Sequence, residues 1–197
     1  MDSILKKIMS ITTITKTDYM RWRECPKDAW LAVHNPDLYY SFEPTEFELA
    51  LRETGSRVEE IARRLFPNGQ EVTGRDEQAQ QYTQKLIKEK QPVIFQPIFV
   101  KEGFLAAAVV LEFNVKTSGY IINEVKSASR VKPEYLYDVA FQTLLLRSCG
   151  LKIDKIKIIH LNKDYIRRGD LNLNELFVKA DLTTQVDEVY EEVARDM

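Results

Sequence analysis

The chain has 197 residues, 44% of them hydrophobic and 29% charged, with a formal net charge of -2. This composition suits one globular domain with its own core and excludes a generally basic nucleic-acid coat, so any contact with phosphates must be local. Its two cysteines, Cys25 and Cys149, belong to no CxxC pair, which excludes a disulfide framework and a four-cysteine zinc or iron–sulfur site. The longest apolar run, Phe104 to Leu111, is too short to span a bilayer, and the opening stretch carries no secretory cleavage pattern. A soluble, cytoplasmic protein without membrane contact is expected.

One domain over 1–197 is expected, because no repeat, low-complexity tract or linker interrupts the chain. From the amino end, Tyr19, Trp22 and Trp30 fall near helical spacing, with Pro26 as a break or a first-turn proline, so 15–45 reads as an N-terminal helical segment. Next, Val58, Ile61, Ala62 and Leu65 form the apolar stripe of a helix that Pro67 and Gly69 end. Glu59 lies at the rim of that stripe and Glu60 on the far side, so Glu59 is the better placed to reach an internal site. A further helix spans about 77–89. Three strand-like runs follow, at 92–100, 103–115 and 119–128, separated by KEG and KTSG, and predict a three-stranded antiparallel meander. A largely buried helix runs from Glu134 to about Cys149. Then come a strand in KIKIIHLNKDYI and a polar C-terminal helix over about 183–197.

The third strand run contains the unusual tripeptide Glu124, Val125, Lys126. Side chains alternate along a strand, so Glu124 and Lys126 share a face and Val125 points to the other layer. An isolated pair of this kind is most simply a surface ion pair of small energetic value. The sharper reading gives Glu124 a divalent cation and Lys126 an attacking water or the charge developing on a phosphate. Local basic clusters occur at Arg63 with Arg64, at Lys126 with Arg130 and Lys132, and at Arg167 with Arg168. His34 reads as a helix-end residue and His160 as a hydrogen-bonded structural histidine on the last core strand. No phosphate-cradling GxxxxGK[ST] and no glycine elbow around a serine are present, which removes the triphosphatase and triad-hydrolase classes.

The order helix, three strands, helix, strand, with ExK closing the third strand, resembles the PD-(D/E)xK nuclease superfamily. The likeness is nearest to the RecB-type branch that includes the CRISPR-adaptation exonucleases, in its form without an iron–sulfur cluster. Five stretches carry it: ITKTDYMRWRECPKDAWL, GSRVEEIARRLFPNG, GYIINEVKSASRVK, DVAFQTLLL and IKIIHLNKDYIRRGDLNLNELFVKADLT, together covering about 14–186. The resemblance implies a restriction-endonuclease-like α/β core, a mixed central sheet flanked by helices in α-β-β-β-α-β order. It implies metal-dependent, exonuclease-like cleavage of DNA with Mg²⁺ or Mn²⁺. Carried over by position, Glu124, the Val125 carbonyl and Glu59 become metal ligands, Lys126 assists the nucleophile, and Gln142 is the glutamine of the following helix, with Leu146 where a tyrosine would complete that motif. Arg130 and Lys132 become DNA contacts. Cys25 matches a cluster-ligand position whose partner cysteines are missing, so no iron–sulfur cluster is expected. Partners would be DNA and, as in relatives, other nuclease, helicase, CRISPR or repair proteins.

One position departs from that pattern. Relatives place a metal-binding aspartate on the second strand where this chain has Val109, within Ala107, Ala108, Val109, Val110 and Leu111. An isopropyl group in place of a carboxylate removes both a ligand and a negative charge from a site for hard cations. Three explanations follow from the sequence: a degenerate member keeping the fold and DNA binding, a nuclease with a relocated ligand such as Glu112, or a chain altered to silence activity. A non-catalytic DNA-binding or protein-interaction module on a nuclease fold is therefore carried beside the nuclease.

Overall fold

The computed structural model of the chain describes residues 13–39 and 43–197. Residues 40–42 of the expected helical segment, and the opening stretch read for a targeting signal, lie outside the described residues. The elements in chain order are β1 (Ile14–Thr15), α1 (Lys16–Glu24), α2 (Pro26–His34), α3 (Pro36–Tyr39), α4 (Glu46–Arg63), β2 (Gln70–Glu71) and α5 (Glu77–Lys88). They continue as β3 (Val93–Phe95), β4 (Ile98–Lys101), β5 (Phe104–Ala107), β6 (Val110–Asn114), β7 (Gly119–Lys126) and α6 (Pro133–Ser148). The chain closes with β8 (Ile153–Leu161), α7 (Leu173–Leu176), β9 (Phe177–Asp181) and α8 (Thr183–Asp196).

A six-stranded mixed sheet in the order β2-β3-β6-β7-β8-β9 forms the centre. Its β6–β7 pair is antiparallel and its β7–β8 pair parallel, so β7, the ExK strand, is internal and bonded on both edges. The parallel pairing needs a crossover, and α6 supplies it. That helix starts with Pro133 at its first turn and buries Val139, Ala140, Phe141, Leu145 and Leu146 against the sheet. Each large apolar side chain among them contributes about 1.5–3 kcal/mol of burial free energy. The opposite face of the sheet is covered by α4, whose Val58 and Ala62 pack with Val93, Phe95, Val110 and Val125. The fold is thus mixed α/β with sheet flanked by helices, as expected at that level.

The meander is more broken than its pattern suggests. The runs 92–100 and 103–115 form one hairpin that bends in the middle: β3 pairs with β6, while β4 pairs with β5 and leaves, with β1, as a separate three-stranded sheet. The bend falls at Gln96, whose φ is 52°, followed by Pro97, and across from them at Ala108 and Val109. Proline cannot donate to the ladder, and a left-handed residue turns the strand out of the sheet. Pairing resumes on either side, with the Gln96 amide donating to the Val109 carbonyl at 3.2 Å.

The helical N-terminal segment packs against this frame as α1, α2 and α3. Thr15 caps α1 through a reciprocal box with Asp18, accepting from the Asp18 amide while its own amide donates to the Asp18 carboxylate at 3.0 Å. Lys16 is therefore the first helical residue, fixed in direction by its neighbour's cap. At the other end of α1, Arg23 bonds Asp196 at 2.7 Å and Glu192 at 2.8 Å, both on α8. Cys25 and Cys149 are free thiols. No helix among the described residues is long and apolar enough to cross a membrane.

Candidate functional site

Where β7 passes the end of β6 and stays paired with β8 alone, Glu124 turns toward α6 and is almost wholly buried, at 1% exposure. Its neighbours across that gap are Asp138 and Gln142, one helical turn apart on the face of α6 that meets the strand. The Gln142 amide donates to Asp138 Oδ1 at 2.7 Å and to Glu124 Oε2 at 3.2 Å. Two ammonium groups complete the cluster. Lys126 Nζ donates to Glu124 Oε1 at 2.9 Å and to Asp138 Oδ2, and Lys16 Nζ reaches the same Glu124 oxygen at 2.9 Å and Asp138 Oδ1 at 3.2 Å. Two buried carboxylates are thus matched by two ammoniums from α1 and β7.

The electrostatics follow from this pairing. Burial alone would raise the Glu124 carboxyl, but the Lys16 and Lys126 charges outweigh it and hold the group at about 2. Desolvation works against both ammoniums as well, yet Glu124 and Asp138 raise Lys16 and Lys126 above the usual lysine value. Glu124 and both lysines are charged throughout the physiological range. Lys126 additionally lies 5.2 Å from the centre of the Tyr135 ring, a cation–π contact.

Beside the cluster opens a cavity of about 250 Å³ lined by Glu124, Val125, Val109, Glu59, Lys16 and Arg75, among others. Glu124, Lys126 and Gln142, picked out in the sequence, therefore meet in one contact network, and Glu59 and Val125 reach the same cavity as Glu124. Glu59 is already engaged: its Oε1 accepts from Arg63 at 2.6 Å and from Gln96 at 2.7 Å. Val109 lines the same cavity from the bend between β5 and β6. Glu112 is not part of that lining. Glu112 pairs with Ile121 on the face of β7 that carries Asn123 and Val125, opposite Glu124, and accepts from Asn123 at 3.3 Å. Arg130 and Lys132 are exposed, Lys132 lies 3.7 Å from Glu134, and neither lines the cavity. His160 bonds the Leu161 carbonyl through Nδ1 at 3.0 Å, a local structural contact.

Two members of the cluster, Lys16 and Asp138, escape the sequence reading. Asp138 had a usable signal, because a second polar residue four positions before Gln142 on an otherwise apolar helix marks a shared polar spot. Lys16 had none: it is 108 residues from Glu124 and looks like an ordinary first-turn lysine.

The carboxylates that line the cavity, Glu124 and Glu59, have the right chemistry for a hard divalent cation but are too few and too occupied for a tight site. Val109 gives the cavity an apolar wall, Glu59 is tied to Arg63, and two ammoniums converge on a single Glu124 oxygen. Among the described residues, no group of three or more acidic, histidine or cysteine side chains is disposed to hold a metal ion.

Comparison with family models finds no match. No curated protein matches the chain. Among solved structures, the chain is similar to "Crystal structure of SSO0001" at a TM-score of 0.36 and 10% identity, over 94% of this chain and 77% of that one. A likeness at that level carries no argument about fold or function.

Proposed function

We propose that this chain is a PD-(D/E)xK nuclease-type domain with a restriction-endonuclease-like core, which engages DNA at the Glu124 site and has lost tight binding of the divalent metal, so that recognition outlasts cleavage. The observation that carries the reading is the convergence of Glu124 and Lys126 from an internal strand with Gln142 from the crossover helix, beside a cavity that Val109 also lines. A chance surface ion pair would not be buried, bonded to a helix glutamine and placed at a strand end that opens on a cavity. The aliphatic wall and the double ammonium on Glu124 favour a silent site over a working one. DNA is the partner, with nuclease or helicase proteins as companions.

The test is cleavage of end-labelled single-stranded and duplex DNA in Mg²⁺ or Mn²⁺, alongside binding of the same strands. The unaltered chain is expected to retain DNA without cutting it, Val109→Asp to cut, and the further change Lys126→Ala to abolish that cutting. Cleavage by the unaltered chain that disappears in Lys126→Ala would establish a working nuclease instead. Silence in every variant, with no DNA retained, would replace the reading by a protein-interaction module.

A further inference from the structure

Two ammoniums belong to the buried cluster, but they differ in what else they can reach. Lys126 is held from behind by Asp138 and Glu124 and rests against Tyr135; it is not part of the cavity wall. Lys16 is. Both keep part of their side chain exposed, 23% for Lys16 and 19% for Lys126, and both donate to Glu124 and Asp138, but only Lys16 faces the cavity, between Thr15 and Thr17. An ammonium has three N–H donors, and these two carboxylates take two. One donor is left for a group inside the cavity.

Arg75, in the loop between β2 and α5, also lines the cavity, exposed and with no ion-pair partner among the described residues. It lines both the site cavity and an adjoining one of about 350 Å³, and the two cavities also share Gln96 and Ala107. The second cavity adjoins the site along the loop that carries Gly74. The carboxylates in the lining already have their countercharges, Glu124 from Lys16 and Lys126 and Glu59 from Arg63, while the Arg75 charge is unspent. A singly charged, hydrogen-bond-accepting group fits that arrangement, and guanidinium and ammonium together match its oxygens.

We infer that Lys16 and Arg75, and not Lys126, are the cations that meet a backbone phosphodiester of the bound strand. The inference deepens the proposed function and rests on it. Lys126 then acts as the internal brace that keeps Glu124 and Asp138 in place, and Lys16 couples the first helix to the bound strand.

The test is equilibrium binding of the full chain to a labelled single-stranded oligonucleotide over a salt series, with melting temperatures checking that each variant is folded. Arg75→Gln is the cleanest probe because the residue is exposed. Lys16→Met combined with Asp138→Asn removes the other cation while leaving the buried charges balanced, and Lys126→Met with Asp138→Asn is the matched control. Neutralising one phosphate-binding cation lowers the steepness of log K against log salt by about 0.7 on a single strand. Arg75→Gln and the Lys16 double variant are each expected to show that drop with weaker binding, and the Lys126 double variant to keep the original slope. Equal drops in the Lys16 and Lys126 variants, or unchanged slopes with Arg75→Gln, would overturn the assignment while leaving DNA binding intact. No binding by the unaltered chain, even at low salt, would overturn both the assignment and the function beneath it.

Discussion

Asp138 offers the sharpest energetic test of the cluster. It is 5% exposed, receives Lys126 and Lys16, and accepts from Gln142 at 2.7 Å. In Asp138→Leu the helix and the apolar packing survive, but two ammoniums are left to share Glu124 Oε1, and the Gln142 amide is deprived of its nearer acceptor. Breaking a buried ion pair by removing one partner costs about 3–5 kcal/mol, because an uncompensated charge stays behind. For a chain of this length each kcal/mol lowers Tm by about 2–4 °C, so the expected drop is about 6–20 °C. The assay is thermal unfolding followed by circular dichroism, with Lys16→Met added in a double variant. Removing the surplus ammonium restores neutrality, so the double variant should be more stable than additivity allows by about 1–3 kcal/mol. A drop below about 2 °C for Asp138→Leu, or strict additivity in the double variant, would show that the cluster behaves as a solvated surface network.

The same cluster sets a pH profile and a metal response. Glu124 titrates at about 2 in the fold against an ordinary 4.5, so its contribution is complete above that ordinary value and fades as pH falls toward 2. The raised lysines have the opposite sign: their contribution is complete below their ordinary 10.5 and fades only in stronger alkali. The Tm difference between the unaltered chain and Glu124→Gln should therefore be level at neutral pH and shrink through the acid range; a difference that stays constant down to pH of about 2 would refute the ion pairing. With Mn²⁺ added, Tm should rise in Val109→Asp and stay unchanged in the unaltered chain, whose melting a chelator should likewise leave alone. A clear Mn²⁺ shift in the unaltered chain would mean that the existing oxygens suffice.

Much of the site was legible because its chemistry is written in short periods. Alternation along β7 places Glu124 and Lys126 on one face, and helical spacing brings Glu59 to the rim of the apolar stripe on α4. The bend in the first hairpin was signalled only by Pro97, inside a run apolar enough to pass as one strand, and a second sheet could not follow from that residue alone. The short strand Phe177–Asp181 went unseen for a related reason: a five-residue edge strand, mostly exposed, has too little alternation to stand out from a tail. Lys16 is different in kind. Its importance arises from where a helix start is carried by the packing of the whole N-terminal segment, which no local period records.

The clamp formed by Arg23 gives that packing a mechanical meaning. A nine-residue helix is a stiff rod about 13 Å long, held at one end by Asp196 and Glu192 and presenting Lys16 at the other. The last turn of the final helix thus helps to set where the inner wall of the cavity stands, through a rod that is also fixed along its length by the buried Tyr19 stacked on Phe141.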